Sequence, residues 1–103
     1  MILIVLTTVS NQADGETLAA RLVESKLAAC VQVLPRMTSV YMWEGRVTRD
    51  GEHLLLIKTL HEKWYALQAF ITANHPYTTP EIVALDPSAV SGPYFEWVKA
   101  VLA

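Results

Sequence analysis

A single stretch, residues 38–59, constrains the fold more than any other part of the chain. Its sequence is TSVYMWEGRVTRDGEHLLLIKT, and its first half carries aromatic and β-branched residues that suit a half-buried strand. Its second half contains a continuous apolar run, residues 54–57, which is typical of a strand covered on both faces. The stretch therefore predicts two long β-strands joined by one turn.

Two dipeptides compete for that turn. We favour Asp50-Gly51, because both residues tolerate the positive φ of a type I′ turn. The strand register then places Trp43 opposite Lys58. Gly45 would lie inside a strand, which suggests a β-bulge that shifts this register by one residue. The alternative turn, Glu44-Gly45, gives shorter strands and leaves residues 47–51 as a loop. The favoured hairpin is longer than the rest of a small domain can cover.

The remaining elements alternate along the chain. Strands are predicted at residues 2–9, 31–34 and 80–86, and helices at residues 16–28, 62–74 and 93–102. Asp14 or Asn11 can cap the first helix, and Pro35 restricts the second strand to an edge or a bulge. The order β-α-β-β-α-β predicts an α+β, ferredoxin-like antiparallel sheet with both main helices on one face and an extra C-terminal helix. The terminal helix or another subunit must cover the second face.

Composition limits the partners of this sheet. The 103 residues predict one domain, 1–103, in which 52% of residues are hydrophobic and 17% are charged, against roughly 25% charged residues in average proteins. A small domain with so many hydrophobic and so few charged residues has more apolar surface than its own core can bury. The simplest use for the remaining apolar surface is a subunit interface. A net charge of −2 argues against a nucleic-acid partner, and the third strand lacks the aromatic residues with which a domain of similar topology stacks RNA bases.

The cellular compartment follows from the cysteine content and the first residues. The one cysteine, Cys30, excludes an internal disulfide and fits a reducing compartment. The apolar start has neither the basic region nor the cleavage site of a signal peptide, and it is too short to span a bilayer. We expect a cytoplasmic protein without a membrane partner.

Five short motifs together resemble the CutA family, whose members are known as divalent-cation tolerance proteins. In chain order they are LAAC (27–30), SVYMWEG (39–45), LLLIKT (54–59), HPYTTPEI (75–82) and YFEW (94–97). The resemblance implies a ferredoxin-like subunit in a tight homotrimer, similar in architecture to PII signalling proteins. It also implies an association with copper and other divalent cations, and it brings no established catalytic activity.

The resemblance to copper-binding members is incomplete. Those members present a cysteine at the end of the first strand and paired histidines before the HPY proline, whereas this chain has Thr7 and Asn74, so only His75 remains. Copper(II) or another divalent cation is therefore expected to bind weakly, through His75. The alternative is a histidine that orders its loop by bonding a backbone carbonyl. We favour that alternative unless a second subunit adds ligands, because a tetrahedral site needs four.

Lys58 is the charge that most suggests a ligand cleft. It lies late in an apolar strand, and lysine is almost never fully buried without a partner. Trp43 could cover its stem and Glu81 could supply a counter-charge, which makes Lys58 either an anion clamp or half of a buried pair. A plain salt bridge between strands or subunits is equally consistent. Four aromatic residues with polar tips suit interfaces and pocket walls: Trp43, Tyr77, Tyr94 and Trp97.

We predict one composite cleft between subunits, because the topology separates the hairpin from the last strand within one chain. Its residues are Trp43, Lys58, His75, Tyr77, Glu81, Tyr94 and Trp97. The leading interpretation is a trimeric binding or signalling protein that is not an enzyme, since no catalytic motif is present. The alternatives are a scaffold without a ligand and a small enzyme that uses Lys58, His75 and Glu81. Two further histidines, His53 and His61, are expected to be solvated, and Cys30 is expected to be a small buried hydrophobe.

Overall fold

A computed structural model describes residues 1–103. The elements in chain order are β1 (Ile2–Val9), α1 (Gln12–Glu24), β2 (Cys30–Val33), β3 (Met37–Trp43), β4 (Arg46–Leu60), a 3₁₀ turn (His61–Lys63), α2 (Trp64–Asn74), β5 (Val83–Leu85) and α3 (Gly92–Leu102). The strands form one antiparallel sheet in the order β2-β4-β1-β5, and β3 pairs with the first half of β4. This confirms the predicted α+β class and its element order. None of the three helices combines the length and apolarity needed to cross a membrane.

The hairpin turn lies at Glu44-Gly45, so the prediction of Asp50-Gly51 was wrong. Glu44 has φ 49° and Gly45 has φ 77°, the left-handed backbone that a two-residue hairpin turn requires. The ladder runs from Met37 opposite Glu52 to Trp43 opposite Arg46. The loop at residues 47–51 that this alternative turn implied is absent, because β4 continues without a break for 15 residues.

Competition for β4 explains the choice of turn. A turn at Asp50-Gly51 would have paired the apolar run of residues 54–57 with residues 44–47, of which only Val47 has an apolar side chain. In the structure this run pairs with β1 on one side and with β2 on the other. Burial of a central apolar strand between two partners outweighs the local preference of one dipeptide. Trp43 consequently lies roughly 40 Å along β4 from Lys58, at about 3.3 Å per residue.

The main core lies between the sheet and the helices α1 and α2. Its buried residues are Leu3, Val5, Val9, Leu18, Leu22, Ala28, Leu55, Ile57, Leu67 and Ile71. α1 begins earlier than predicted because Asn11 is its N-cap and accepts a hydrogen bond of 2.8 Å from the Asp14 amide. Gly15 lets this helix approach the sheet, since a Cβ there would lie 3.1 Å from a Val9 methyl group. The helix-facing side of the sheet is thus closed within one chain.

The second face of the sheet is only half covered. α3 packs over one end of it, where Val98 and Leu102 meet Ile2, Ala29 and Leu60. The rest of the face carries half-buried side chains from the central strands and exposed ones from β5: Leu6, Leu54, Leu56, Val83 and Leu85. The terminal helix thus reaches only part of this face, and the rest stays uncovered within one chain.

Two buried threonines provide a test of the core. Thr7 is fully buried and its hydroxyl has no hydrogen-bond partner, whereas the equally buried Thr59 donates to the Leu27 carbonyl at 2.7 Å. An unsatisfied buried polar group costs about 1–3 kcal/mol, so Thr7→Val should stabilise the protein by about 1 kcal/mol. Thr59→Val should destabilise it by a similar amount. Urea unfolding at one fixed protein concentration measures both, and equal destabilisation by the two variants would contradict this account.

Candidate ligand cleft

The predicted cleft residues occupy three separate places in the chain. Trp43 lies at the tip of the ribbon formed by β3 and β4, where it is 61% exposed. Lys58, Tyr94 and Trp97 lie at the α3 end of the second sheet face. His75 and Tyr77 lie in the loop after α2, and Glu81 is exposed just before β5. A single chain therefore does not bring the seven residues together.

Lys58 is a half-buried cation without a carboxylate. Its Nζ donates to Oε1 of Gln32, and Cys30 is its directly opposite residue on β2. The two ion pairs of the structure involve other residues: His61 with Asp86, and Lys99 with Glu96. The lysine is thus held in place by a neutral amide while its charge stays uncompensated within the chain.

Tyr94 extends this polar cluster from α3. Its hydroxyl lies 3.2 Å from the Cys30 sulfur, and its ring packs on Trp97 with 5.8 Å between ring centroids. Burial, the hydrogen bond with Cys30 and the nearby thiol raise the pKa of Tyr94 to about 12. Cys30 is therefore half-buried and hydrogen-bonded, not the small buried hydrophobe expected from the sequence.

His75 orders its loop through both ring nitrogens. It is 8% exposed; its Nε2 donates to the Thr8 carbonyl at 2.7 Å, and its Nδ1 accepts from the Tyr77 amide at 3.0 Å. Since an amide can only donate, the ring must carry its proton on Nε2. These contacts match the loop-ordering alternative, and a metal ion at His75 would have to displace one of them.

Tyr77 fastens the same loop to the ribbon. Its hydroxyl donates to Oε2 of Glu52 at 2.9 Å, and its ring lies 4.6 Å from that of His75. Burial first, and then the hydrogen bond and charge of Glu52, raise the pKa of Tyr77 to about 12. The loop after α2 therefore meets β4 within one chain, but at Glu52 and not at Lys58.

The other two histidines are not the free surface residues expected from the sequence. His53 is 6% exposed and its Nδ1 lies 2.9 Å from the Leu34 carbonyl, because β4 directs it toward the helix-covered side. His61 is exposed, but its Nε2 lies 2.5 Å from Oδ1 of Asp86. No group of three His, Cys, Asp or Glu side chains is close enough to hold a metal ion.

Comparison with known proteins identifies the family. The family model described as CutA1 divalent ion tolerance protein matches residues 3–101. The chain belongs to the CutA1 family. This confirms the resemblance inferred from the five sequence motifs.

Relatives of the CutA1 family match at the level of sequence. The divalent-cation tolerance protein CutA of Thermus thermophilus is 44% identical over 96 residues, which cover 93% of each chain. The chloroplastic protein CutA of Arabidopsis thaliana is 44% identical over 97 residues, or 94% of this chain and 53% of that protein. The chain thus spans about half the length of the plant relatives that it matches.

Solved CutA1 structures share the complete fold. The Thermus thermophilus protein superposes with a TM-score of 0.91 at 44% identity, covering 95% of both chains. The periplasmic divalent cation tolerance protein CutA of Archaeoglobus fulgidus gives a TM-score of 0.96 at 30% identity, covering 100% of both. The relatives' names include chloroplastic and periplasmic ones, so a cytoplasmic location for this chain stays a prediction.

Three contact residues of the site were missed from the sequence. Gln32 and Cys30 lie on the same sheet face as Lys58, and strand alternation could have placed them there once the β2–β4 register was known. Glu52 as the partner of Tyr77 had no sequence signal, because the two residues are joined only by the return of the loop onto the ribbon.

The Tyr77–Glu52 bond predicts a change in alkaline titration. A raised folded-state pKa contributes stability below the ordinary value of 10.0, and that contribution is lost as the pH rises toward about 12. Glu52→Gln removes the charge but not the burial, so we expect the pKa of Tyr77 to fall only part of the way toward 10.0. Ultraviolet titration measures this, with Tyr77→Phe to identify the step. An unchanged pKa in Glu52→Gln would mean that the carboxylate has no influence.

Proposed function

We propose that this chain works as a homotrimer of PII-like architecture that binds a divalent metal ion or a small ligand in clefts between subunits, in the cytoplasm and without catalysis. One observation carries the proposal: a large apolar surface is left uncovered on the second sheet face, on the adjoining helix α3 and on the ribbon. Its exposed residues are Val40, Met42, Trp43, Val47, Val83, Leu85 and Trp97. Soluble monomers rarely leave a large apolar surface open.

Free strand edges support assembly by β-pairing. β5 pairs only with β1, and β2 and β3 pair only with β4, so each of these outer strands has one unpaired edge. Unpaired edges are templates for strands of another chain. A ring of three copies would place the ribbon of one subunit along β5 of the next, and would cover apolar surface on both.

The composite cleft follows from the same assembly. Covering the second sheet face would remove Lys58 from solvent, although its chain supplies it with no carboxylate. A buried ammonium without a counter-charge is too costly to keep. Glu81 is exposed just before β5, whose outer edge is unpaired, so it is the carboxylate that we assign to Lys58 of another subunit.

Metal ions enter this proposal as weak ligands and not as a resident cofactor. Proteins that match this chain carry the name divalent-cation tolerance protein, which supports a role with such ions. Within one chain His75 is the expected ligand, yet both of its nitrogens already have partners. Copper(II) or another divalent cation would therefore need ligands from a second subunit in addition to His75.

The assembly prediction uses a charge placed on the uncovered part of the second sheet face. Light scattering of the wild type at micromolar concentration should give three times the chain mass of 11.5 kDa. Leu56→Glu should reduce that mass, because it would bury a carboxylate in the interface. Tyr65→Glu is the matched control, since Tyr65 is 83% exposed on α2, which packs on the opposite side of the sheet. A folded wild-type monomer would overturn the trimer.

The cleft prediction uses a double-mutant cycle on Lys58→Met and Glu81→Gln. If the two residues form a buried pair between subunits, breaking it by either single change should cost roughly 3–5 kcal/mol of trimer stability. The double variant should then recover part of that loss. The exposed Lys99–Glu96 pair, 2.9 Å apart, is the control and should show coupling of only about 0.2–0.5 kcal/mol. Additive effects at Lys58 and Glu81 would show that they do not meet.

A further inference from the structure

A cleft of about 400 Å³ lies between α1 and the C-terminal end of α2, on the helix-covered side of the sheet. Small-molecule sites occupy about 300–1,000 Å³, so the cleft can hold a small metabolite. Its lining combines apolar residues with polar residues of α1: Val9, Leu18, Ala73, Asp14, Thr17 and Arg21. We propose that this cleft, distinct from those between subunits, binds a small aliphatic amino acid, with the ligand carboxylate at Arg21 and the ligand ammonium group at Asp14.

Helical spacing places the two charges at opposite ends of the cleft. Asp14, Thr17, Leu18 and Arg21 stand at positions i, i+3, i+4 and i+7 of α1, which is one face of a helix. The outer two are about 10.5 Å apart along the helix axis, whereas side chains that pair directly are three or four residues apart. Neither forms an ion pair in the structure. Two opposite charges therefore face one cleft without neutralising each other.

The guanidinium of Arg21 is held in place by a neutral group. Its Nη1 donates to Oδ1 of Asn74 at 3.3 Å, and the Asn74 Nδ2 donates to the Phe70 carbonyl at 2.8 Å. The α2 backbone thus orients the amide, and the amide orients the guanidinium. Arginine has five N–H groups in a planar fork that matches a carboxylate, and only one nitrogen is engaged here. The α2 end of the cleft is accordingly prepared for an anionic group.

The carboxylate of Asp14 is fixed by the cap of α1. Asn11 Nδ2 donates to its Oδ2 at 3.0 Å, and the Asp14 amide donates to Oδ1 of Asn11 at 2.8 Å. These bonds leave Oδ1 of Asp14 without a protein partner. An ionised carboxylate accepts up to about four hydrogen bonds, so an ammonium group can bind here without breaking the cap.

The lining between the charges sets the character of the ligand. Leu18 lies between Asp14 and Arg21 on the helix face, and both Leu18 and Val9 are buried. His75 also lines the cleft, but both of its ring nitrogens are bonded to the protein, so it contributes a wall and no charge. An aliphatic side chain suits this surface. The helix-covered side lies opposite the sheet face that the proposed trimer would cover, so binding here does not depend on assembly.

Three related ligands test whether both charges of the ligand are required. L-Leucine carries both charges, isocaproate is its analogue without the amine, and isopentylamine is its analogue without the carboxylate. In NMR titrations of the intact chain, leucine should shift the Thr17 and Ala73 amide resonances saturably, in the millimolar range. Each analogue lacks a hydrogen bond between charged groups and should bind at least about tenfold more weakly. No saturable shift with leucine, or equal binding of isocaproate, would overturn the proposal.

Substitutions in α1 assign the two ends of the cleft. Arg21→Gln and Asp14→Asn should each weaken leucine binding about tenfold, and Arg21→Lys should fall between Arg21→Gln and the wild type because it keeps the charge but loses the fork. Glu16→Gln is the matched control, since it removes an exposed carboxylate from the same helix outside the cleft. It should leave the affinity unchanged.

The far-ultraviolet circular dichroism of each variant checks that α1 is intact. Wild-type affinity in either Arg21→Gln or Asp14→Asn would show that leucine binds elsewhere and would overturn the proposal. Light scattering of the same samples reports the trimer separately, so failure of this site and failure of the proposed assembly are distinguishable.

Discussion

The double use of β4 is the constraint on which the rest of the structure depends. Its second half lies between β1 and β2 and carries the buried centre of the core, while its first half extends beyond the domain and pairs only with β3. One strand thus provides both fully buried residues, such as Leu55 and Ile57, and exposed ones, such as Val47. The turn position, the length of the ribbon and the uncovered second face all follow from this arrangement.

Hydrogen bonds, not ion pairs, hold the loop after α2 against the sheet. His75 bonds the end of β1, and Tyr77 bonds Glu52 on β4, so the loop joins two strands that are neighbours in the sheet. A histidine used in this way is a structural element, and its ring has no free nitrogen for a metal ion.

The second sheet face combines apolar surface with an unpaired charge. Leu54 and Leu56 share that face with Lys58, whose partner Gln32 is neutral. Burial of apolar surface favours covering this face. Desolvation of the Lys58 ammonium opposes it, unless the covering subunit also places a carboxylate beside Lys58. An assembly in which the neighbouring subunit brings Glu81 would satisfy both requirements. In that assembly, burial of apolar surface would provide the binding free energy, and the Lys58–Glu81 pair would determine which surfaces meet.

Sequence periodicity by itself determined the fold class, the element order and the helix-covered core, because apolar spacing depends only on which face of an element is buried. Leu54–Ile57 and the helical repeat of Leu67 and Ile71 are examples. Family membership was equally readable from motifs such as HPYTTPEI. The turn at Glu44-Gly45 was decided by tertiary structure, because pairing of β4 with β1 and β2 overrode the local preference of Asp50-Gly51. The contacts of His53, His61 and Tyr77 were decided there too, since their partners are distant in sequence and no local pattern encodes them.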